Sequence, residues 1–437
     1  MVVKMRRSAK SASRRKKRVL LVVPDFPIPA KRRIMHNFAP IGLLKIGTYL
    51  RDARGCEVEL VFGEKNPSIN PDEVWITSLF TYWSDYVHRS ARYYGALFPN
   101  ARIRIGGIYA SLLPDSVRNE TGGDVHVGVY SPAERWCERY GVDYSLLKEP
   151  VDFQILHGMR GCFRRCKFCG TWKIEPRETF DSNIPEKVSM NHVVFYDNNF
   201  LRNPRIREIL KDLANVKVND RHVVYESQSG FDGRILDQEL AFLLKRARFV
   251  NPRIAWDNSY SDAYKIEKQI RFLTTAGYKP RDIYVFVLYN WDYDFNTLEN
   301  KRLKCWEWGV QISDCRFRPL NQLYDSFNSR RRQTSANYYI HSNWKDEEVK
   351  QFRANVRKHN ICARHKFRFH STILEQMRLS KRRAKEFRVM PRSEVRRILS
   401  DAWFPDEFHG PSTPGSKFGN LSSENHPKSS IPQCSIA

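Results

Sequence analysis

Short apolar stretches alternate with amphipathic ones along most of the chain, in two successive series, and this alternation leaves few folds open. In the first series, residues 19–23 form an apolar run closed by Pro24, the pattern of a buried parallel strand. Residues 41–50 carry apolar positions at helical spacing, 56–62 and 74–80 read as strands, 86–97 as a helix, and 101–105 and 125–129 as further strands. The set predicts an α/β unit over 19–148, a Rossmann-like doubly wound parallel sheet. The second series places strands at 153–158, 192–196, 222–226, 253–257, 283–289 and 310–317. Helices at 204–213, 237–248, 264–276 and 297–308 separate them. This predicts a (β/α)6 partial barrel over 149–327, whose chemistry belongs at the C-terminal ends of the strands.

Nine cysteines occur in the 437 residues, an odd count that argues against a disulfide framework. Six are scattered. Cys162, Cys166 and Cys169 fall in one C-x3-C-x2-C segment directly after the first strand of the second series. Three thiolates hold a cubane iron–sulfur cluster by three of its irons and leave the fourth open to a ligand. Structural zinc takes four ligands, usually in two pairs. His157 is the one nearby fourth donor, inside the preceding strand, so a zinc site stays open as the alternative.

The segment C-x3-C-x-aromatic-C, with Phe168 as the aromatic, resembles the signature of the radical S-adenosylmethionine (radical SAM) superfamily. The resemblance implies an enzyme with a [4Fe–4S] cluster on Cys162, Cys166 and Cys169. The open iron would bind the amino and carboxylate groups of SAM. Reductive cleavage would then give a 5′-deoxyadenosyl radical that abstracts hydrogen from a substrate the sequence does not identify. A one-electron donor such as flavodoxin or ferredoxin is implied as a partner. In that family the second barrel strand ends in a motif receiving the SAM amino group; Asp197, Asn198 and Asn199 occupy that place, without the usual Gly-Gly-Glu form. Glu226 and Gln228 end the third strand, Asp257 the fourth and Asn290 the fifth, and these polar groups are the further candidates for holding SAM.

The first unit resembles the cobalamin-binding domain that often precedes a radical SAM barrel, through 40–44 opening its first helix and Gly106-Gly107 closing a strand. The Asp-x-His-x-x-Gly loop that supplies a cobalt ligand is absent, and His36 fits no such spacing. Cobalamin binding, and with it methyl transfer, is left open.

Charge separates the body from its ends. Residues 1–18 carry nine Lys/Arg and no acid, and 328–400 carry twenty Lys/Arg against six acids, which together account for 23 of the net +26. The expectation is a disordered basic tail at 1–18, a basic helical extension at 328–405 and a disordered Ser/Pro/Gly-rich tail at 406–437. Basic segments suit an anionic partner, nucleic acid included. Tyr338, Tyr339, Trp344, Phe352, Phe367 and Phe369 are interleaved there as stacking candidates. Two alternatives follow: a radical SAM enzyme that modifies RNA, and a non-catalytic zinc protein that binds nucleic acid. No apolar run approaches the roughly 18–20 residues of a membrane span, and no signal-peptide core is evident, so a cytoplasmic protein is expected.

Overall fold

The structure, a computed structural model, describes residues 15–28 and 39–365. The expected tail at 1–18 falls mostly outside these residues, as do 366–405 of the extension and all of 406–437. Two compact units divide at Pro150/Val151, with Ile28 and Ala39 grouped with the second.

The first unit is a five-stranded, wholly parallel sheet in the order β2-β1-β3-β4-β5. Its strands are β1 (Arg18–Val23), β2 (Glu57–Phe62), β3 (Glu73–Ser78), β4 (Arg102–Gly107) and β5 (Asp124–Val125). Helices α1 (Ile41–Asp52), α2 (Ser84–Leu97), α3 (Ile108–Leu112), α4 (Pro114–Thr121) and α5 (Ser131–Tyr140) connect or follow them. The central strand β1 is apolar along its length because both faces are covered, and residues 19–22 are wholly buried. The expected strand at 125–129 is only two residues long. Gly128 has φ +80 and Pro132 opens α5, so the backbone leaves the sheet early.

The second unit holds six parallel strands in two three-stranded sheets, β12-β9-β6 and β13-β14-β15. They are β6 (Gln154–Leu156), β9 (His192–Phe195), β12 (Val224–Ser227), β13 (Arg253–Ala255), β14 (Tyr284–Tyr289) and β15 (Gln311–Arg316). Parallel bridges Tyr225–Phe249 and Phe231–Ile254 join the two sheets. Helices α7 (Ile206–Leu213), α8 (Gln238–Arg246), α9 (Ala263–Thr275) and α10 (Phe295–Glu307) alternate with the strands. Asp237 caps α8 by accepting the Leu240 N–H and Asp294 caps α10 by accepting that of Thr297, each at 2.8 Å. Two hairpins went unread in the sequence: β7 (Met159–Arg160) with β8 (Thr179–Phe180), and β10 (Lys217–Val218) with β11 (Arg221–His222). His222, expected in a core strand, belongs to the second hairpin, where Asn219 and Asp220 turn the chain at positive φ.

The extension is helical at α11 (Asp346–His365), whose Asp346, Glu347 and Glu348 sit at the positive end of the helix dipole. The stacking candidates there divide, and Tyr339 is half-buried. Tyr338, Trp344 and Phe352 are buried in the core of the second unit and present no face to a base. Phe367 and Phe369 lie outside the described residues. No helix among the described residues is long and apolar enough to cross a membrane.

Candidate functional site: a three-cysteine loop at the strand ends

Residues 162–169 form a loop between β7 and the short helix α6 (Thr171–Ile174), and the β7–β8 hairpin closes its base. Arg160 pairs with Glu175 through both guanidinium edges, Nε to Oε2 at 3.1 Å and Nη2 to Oε1 at 2.5 Å. Glu175 Oε2 also accepts the Gly161 N–H at 3.1 Å. Gly161 has φ +79, and a Cβ there would lie 2.3 Å from the Arg177 carbonyl oxygen, so only glycine fits the entry to the loop. Arg164 reaches the other way, its Nε donating to Asp232 Oδ2 at 2.7 Å.

All three thiols are half-buried and none is in a disulfide. Burial pushes Cys162 and Cys166 above the ordinary thiol range, and each also feels the charge of Cys169, which places the three within electrostatic reach of one another. Contacts that favour thiolate are already present. Asn199 and the Arg164 backbone hydrogen-bond the Cys162 sulfur, and the Thr171 N–H points to Cys169 Sγ at 3.5 Å. Such N–H···S contacts tune iron–sulfur centres. Among the described residues, no three His, Cys, Asp or Glu side chains are gathered around one point as a single ion requires. A cubane asks for something different, one thiolate on each of three irons.

The strand-end residues divide into two kinds. Asp197 is 1% exposed, and its carboxylate accepts the backbone N–H of Gly158 and of Met159. Asn198 Oδ1 accepts the Gly161 N–H at 2.8 Å. Both side chains thus latch the turn that launches the cysteine loop. Glu226 forms a buried ion pair with Arg253, and the Asn290 amide is spent on the Tyr339 carbonyl at 2.8 Å and the His341 N–H at 3.0 Å. Asp197, Asn198, Glu226 and Asn290 are thus each engaged by neighbouring protein groups.

Asn199 and Gln228 differ. Asn199 Oδ1 and Gln228 Oε1 are buried oxygens with no hydrogen-bond partner, at the ends of adjacent strands β9 and β12. A buried carbonyl without a donor costs about 1–3 kcal/mol. Asp257 is half-buried, two residues past the end of β13. Burial raises its pKa to about 6, against the pull of Lys301 and Arg234. Phe168 is half-buried between Cys166 and Cys169.

Three residues of the site carried no motif in the sequence. Asp232 collects Arg164, Arg234 (Nε to Oδ1, 2.8 Å) and the Asn199 amide (Nδ2 to Oδ2, 3.2 Å). Glu175 closes the loop base as described. Lys301, 1% exposed on α10, donates to the Trp256 and Asn258 carbonyls on either side of Asp257, at 3.0 and 2.5 Å.

Structural comparison agrees with this architecture. The chain is a mixed α/β protein with parallel sheets, in the fold of radical SAM enzyme structures. The particular likeness is to the radical SAM methyltransferase TsrM from Kitasatospora setae. Its structure with cobalamin and a [4Fe–4S] cluster bound gives a TM-score of 0.51 at 13% identity, over 71% of this chain and 77% of that one. Its structure with tryptophan substrate and the SAM analogue aza-SAM gives 0.53 at 13% identity, over 70% and 75%. No protein-family model and no curated protein matches the chain by sequence.

Proposed function

We propose that this chain is a radical SAM enzyme, with a [4Fe–4S] cluster on Cys162, Cys166 and Cys169. One observation carries the reading: the three-thiol loop follows the first of six parallel strands, beside two strand ends that present unpartnered buried carbonyl oxygens, Asn199 Oδ1 and Gln228 Oε1. When bound, the cluster and SAM supply one-electron cleavage of a sulfonium, which opens hydrogen abstraction on a substrate. The protein's own residues position these groups. Asn199 and Gln228 accept hydrogen bonds from an ammonium or hydroxyl donor. Asp257 offers a half-buried carboxylate just past the end of β13. Asp197, Asn198 and Glu175 hold the cysteine loop in register with them. On this reading the first unit is a Rossmann-like domain (19–148), the second a radical SAM partial barrel (149–327), and 328–405 its basic extension.

Anaerobic reconstitution tests the proposal. Iron and sulfide near four each per chain are expected from cubane stoichiometry, with 5′-deoxyadenosine formed on reduction with dithionite. Metal-free or zinc-loaded protein without iron–sulfur absorbance would overturn it.

Methyl transfer through cobalamin is the second reading, favoured by the cobalamin bound in the TsrM structure of the same fold. The glycine match is weaker support. A Cβ on Gly107 would lie 2.1 Å from the Ser78 carbonyl oxygen, so strand packing already accounts for that glycine. Titration with hydroxocobalamin, followed by its visible spectrum, decides the point.

A further inference from the structure

We infer that the layer between the end of β15 and α11 holds a binding site for a small hydroxycarboxylate, with Arg316 as its anchor. Arg316 is the last residue of β15, and its side chain is 3% exposed. Along β15 it pairs with Tyr289 of β14, as Ile312 pairs with Val285. Val285, Tyr289 and Ile312 share one core cluster with Val349, Phe352 and Val356 of α11. This side of the strand therefore faces α11. The site shares no residue with the cysteine loop or with the strand-end groups described above.

The Arg316 guanidinium lies 4.4 Å from the centre of the Phe327 ring and 5.0 Å from that of Tyr338. Its Nη2 donates to Asp325 Oδ2 at 2.5 Å. Its Nε and Nη1 are buried and meet no hydrogen-bond acceptor in the protein. Arg353 of α11 packs on the same Phe327 ring at 5.4 Å, and its Nε is likewise buried without an acceptor. Arg318 Nε shares Asp325 Oδ2, also at 2.5 Å. Two acceptors complete the set, since Asp325 Oδ1 and Gln322 Oε1 are buried and meet no donor in the protein. Gln322 stays in the same loop by donating its Nε2 to the Tyr324 carbonyl, the neighbour of Asp325, at 2.5 Å.

Charge selects the ligand. Asp314, Arg353, Arg316 and Arg318 all act electrostatically on Tyr289, and Asp325 joins two of these arginines. Three cations thus face two carboxylates, which leaves one positive charge unmatched. Burial and the Arg318 charge push Arg316 below the ordinary guanidinium range, the response of a cation in a layer short of anions. A buried guanidinium N–H without an acceptor is costly. A carboxylate brings one negative charge and two acceptor oxygens in a plane, which guanidinium donors match. A hydroxyl beside it donates to Asp325 or Gln322. A phosphate dianion would oversupply the charge. Arg318, its side chain 25% exposed, stands on the side open to solvent.

The test is calorimetric titration of the reconstituted full chain with glycolate, acetate and inorganic phosphate. SAM is present in excess, so that the carboxylate position proposed for it is filled. Glycolate is expected to bind at millimolar concentration. Acetate, which lacks the hydroxyl, should bind about threefold more weakly, and phosphate at about pH 8 about tenfold more weakly. Arg316→Gln should lower glycolate affinity about tenfold. Should that variant fold poorly, Arg353→Gln should lower it about threefold. No glycolate binding, binding that vanishes when SAM is added, or binding unchanged in both variants overturns the site. Phosphate bound as tightly as glycolate, or acetate bound as tightly as glycolate, overturns the hydroxycarboxylate assignment.

Discussion

Arg164, inside the cysteine loop, donates to Asp232, 68 residues further along the chain, and the Asp232 oxygen that it reaches also accepts the Asn199 amide. One carboxylate therefore ties the loop to the segment that follows β9 and fixes the orientation of the Asn199 amide. Burial works to raise the Asp232 pKa, but Arg234 and Arg164 outweigh it and hold the carboxyl below the usual range. A depressed carboxylate stabilises the fold above its ordinary pKa and loses that contribution as pH falls through the folded value, below about 4. Asp232→Asn should cost about 1–2 kcal/mol, discounted because Arg234 is largely exposed, and should weaken SAM binding by about tenfold. Chemical denaturation and calorimetry on reconstituted protein measure the two effects, and unchanged SAM affinity would remove Asp232 from the site.

Gly161→Ala isolates the loop's entry. The added Cβ meets a carbonyl oxygen at 2.3 Å in a left-handed backbone conformation, so the β7–β8 turn must shift. A loss of about 1–3 kcal/mol is expected, together with incomplete cluster assembly. Iron analysis after reconstitution checks this. Full iron occupancy at wild-type stability would show that the loop adapts.

The parallel strands of both units were legible because a strand buried on both faces must be apolar along its length, as 19–23 and 283–289 are. The cysteine spacing was legible because all three thiols lie within one eight-residue segment. What the sequence hid depends on long-range pairing. Asp232 reads as an ordinary loop acid, and only the fold brings Arg164, Arg234 and Asn199 to it. Lys301 reads as one more surface lysine in a polar helix, yet it is buried beneath Trp256. Polar residues at strand ends also serve the fold. Asp197, Asn198 and Asn290 sit where ligands would, but a parallel strand must also turn there, and turns consume the same side chains. The two-residue strands of the hairpins are too short to show a period.

Asp197 makes a pH prediction. Burial raises its pKa to about 7, although two backbone N–H groups favour its ionised form. A raised carboxyl binds its proton more tightly in the folded state. Its contribution is therefore greatest at low pH and is lost as pH rises from about 4 through about 7, by at most about 4 kcal/mol. Asp197→Asn removes that dependence and leaves one of the two N–H groups without an acceptor, costing about 1–3 kcal/mol. Thermal unfolding of both proteins between pH 5.5 and 8 should show the wild-type advantage narrowing as pH rises; a gap that widens contradicts the assignment.

Lys301 moves in the opposite sense. Burial lowers its pKa to about 8, against the pull of Asp257. A lysine whose folded pKa lies below its unfolded value penalises the fold while charged. That penalty is relieved as pH rises through about 8 toward about 10, by at most about 3 kcal/mol. Wild-type unfolding free energy should thus gain from this residue between pH 8 and 10, and Lys301→Met should lack the gain. The same change removes the cation that draws Asp257 down, so the Asp257 midpoint should climb above about 6. It also frees the Trp256 and Asn258 carbonyls that the ammonium grips on either side of that carboxylate. If Asp257 faces SAM, the pH profile of SAM binding will shift upward in Lys301→Met, whereas a lysine that only packs the helix would change stability and leave that profile in place.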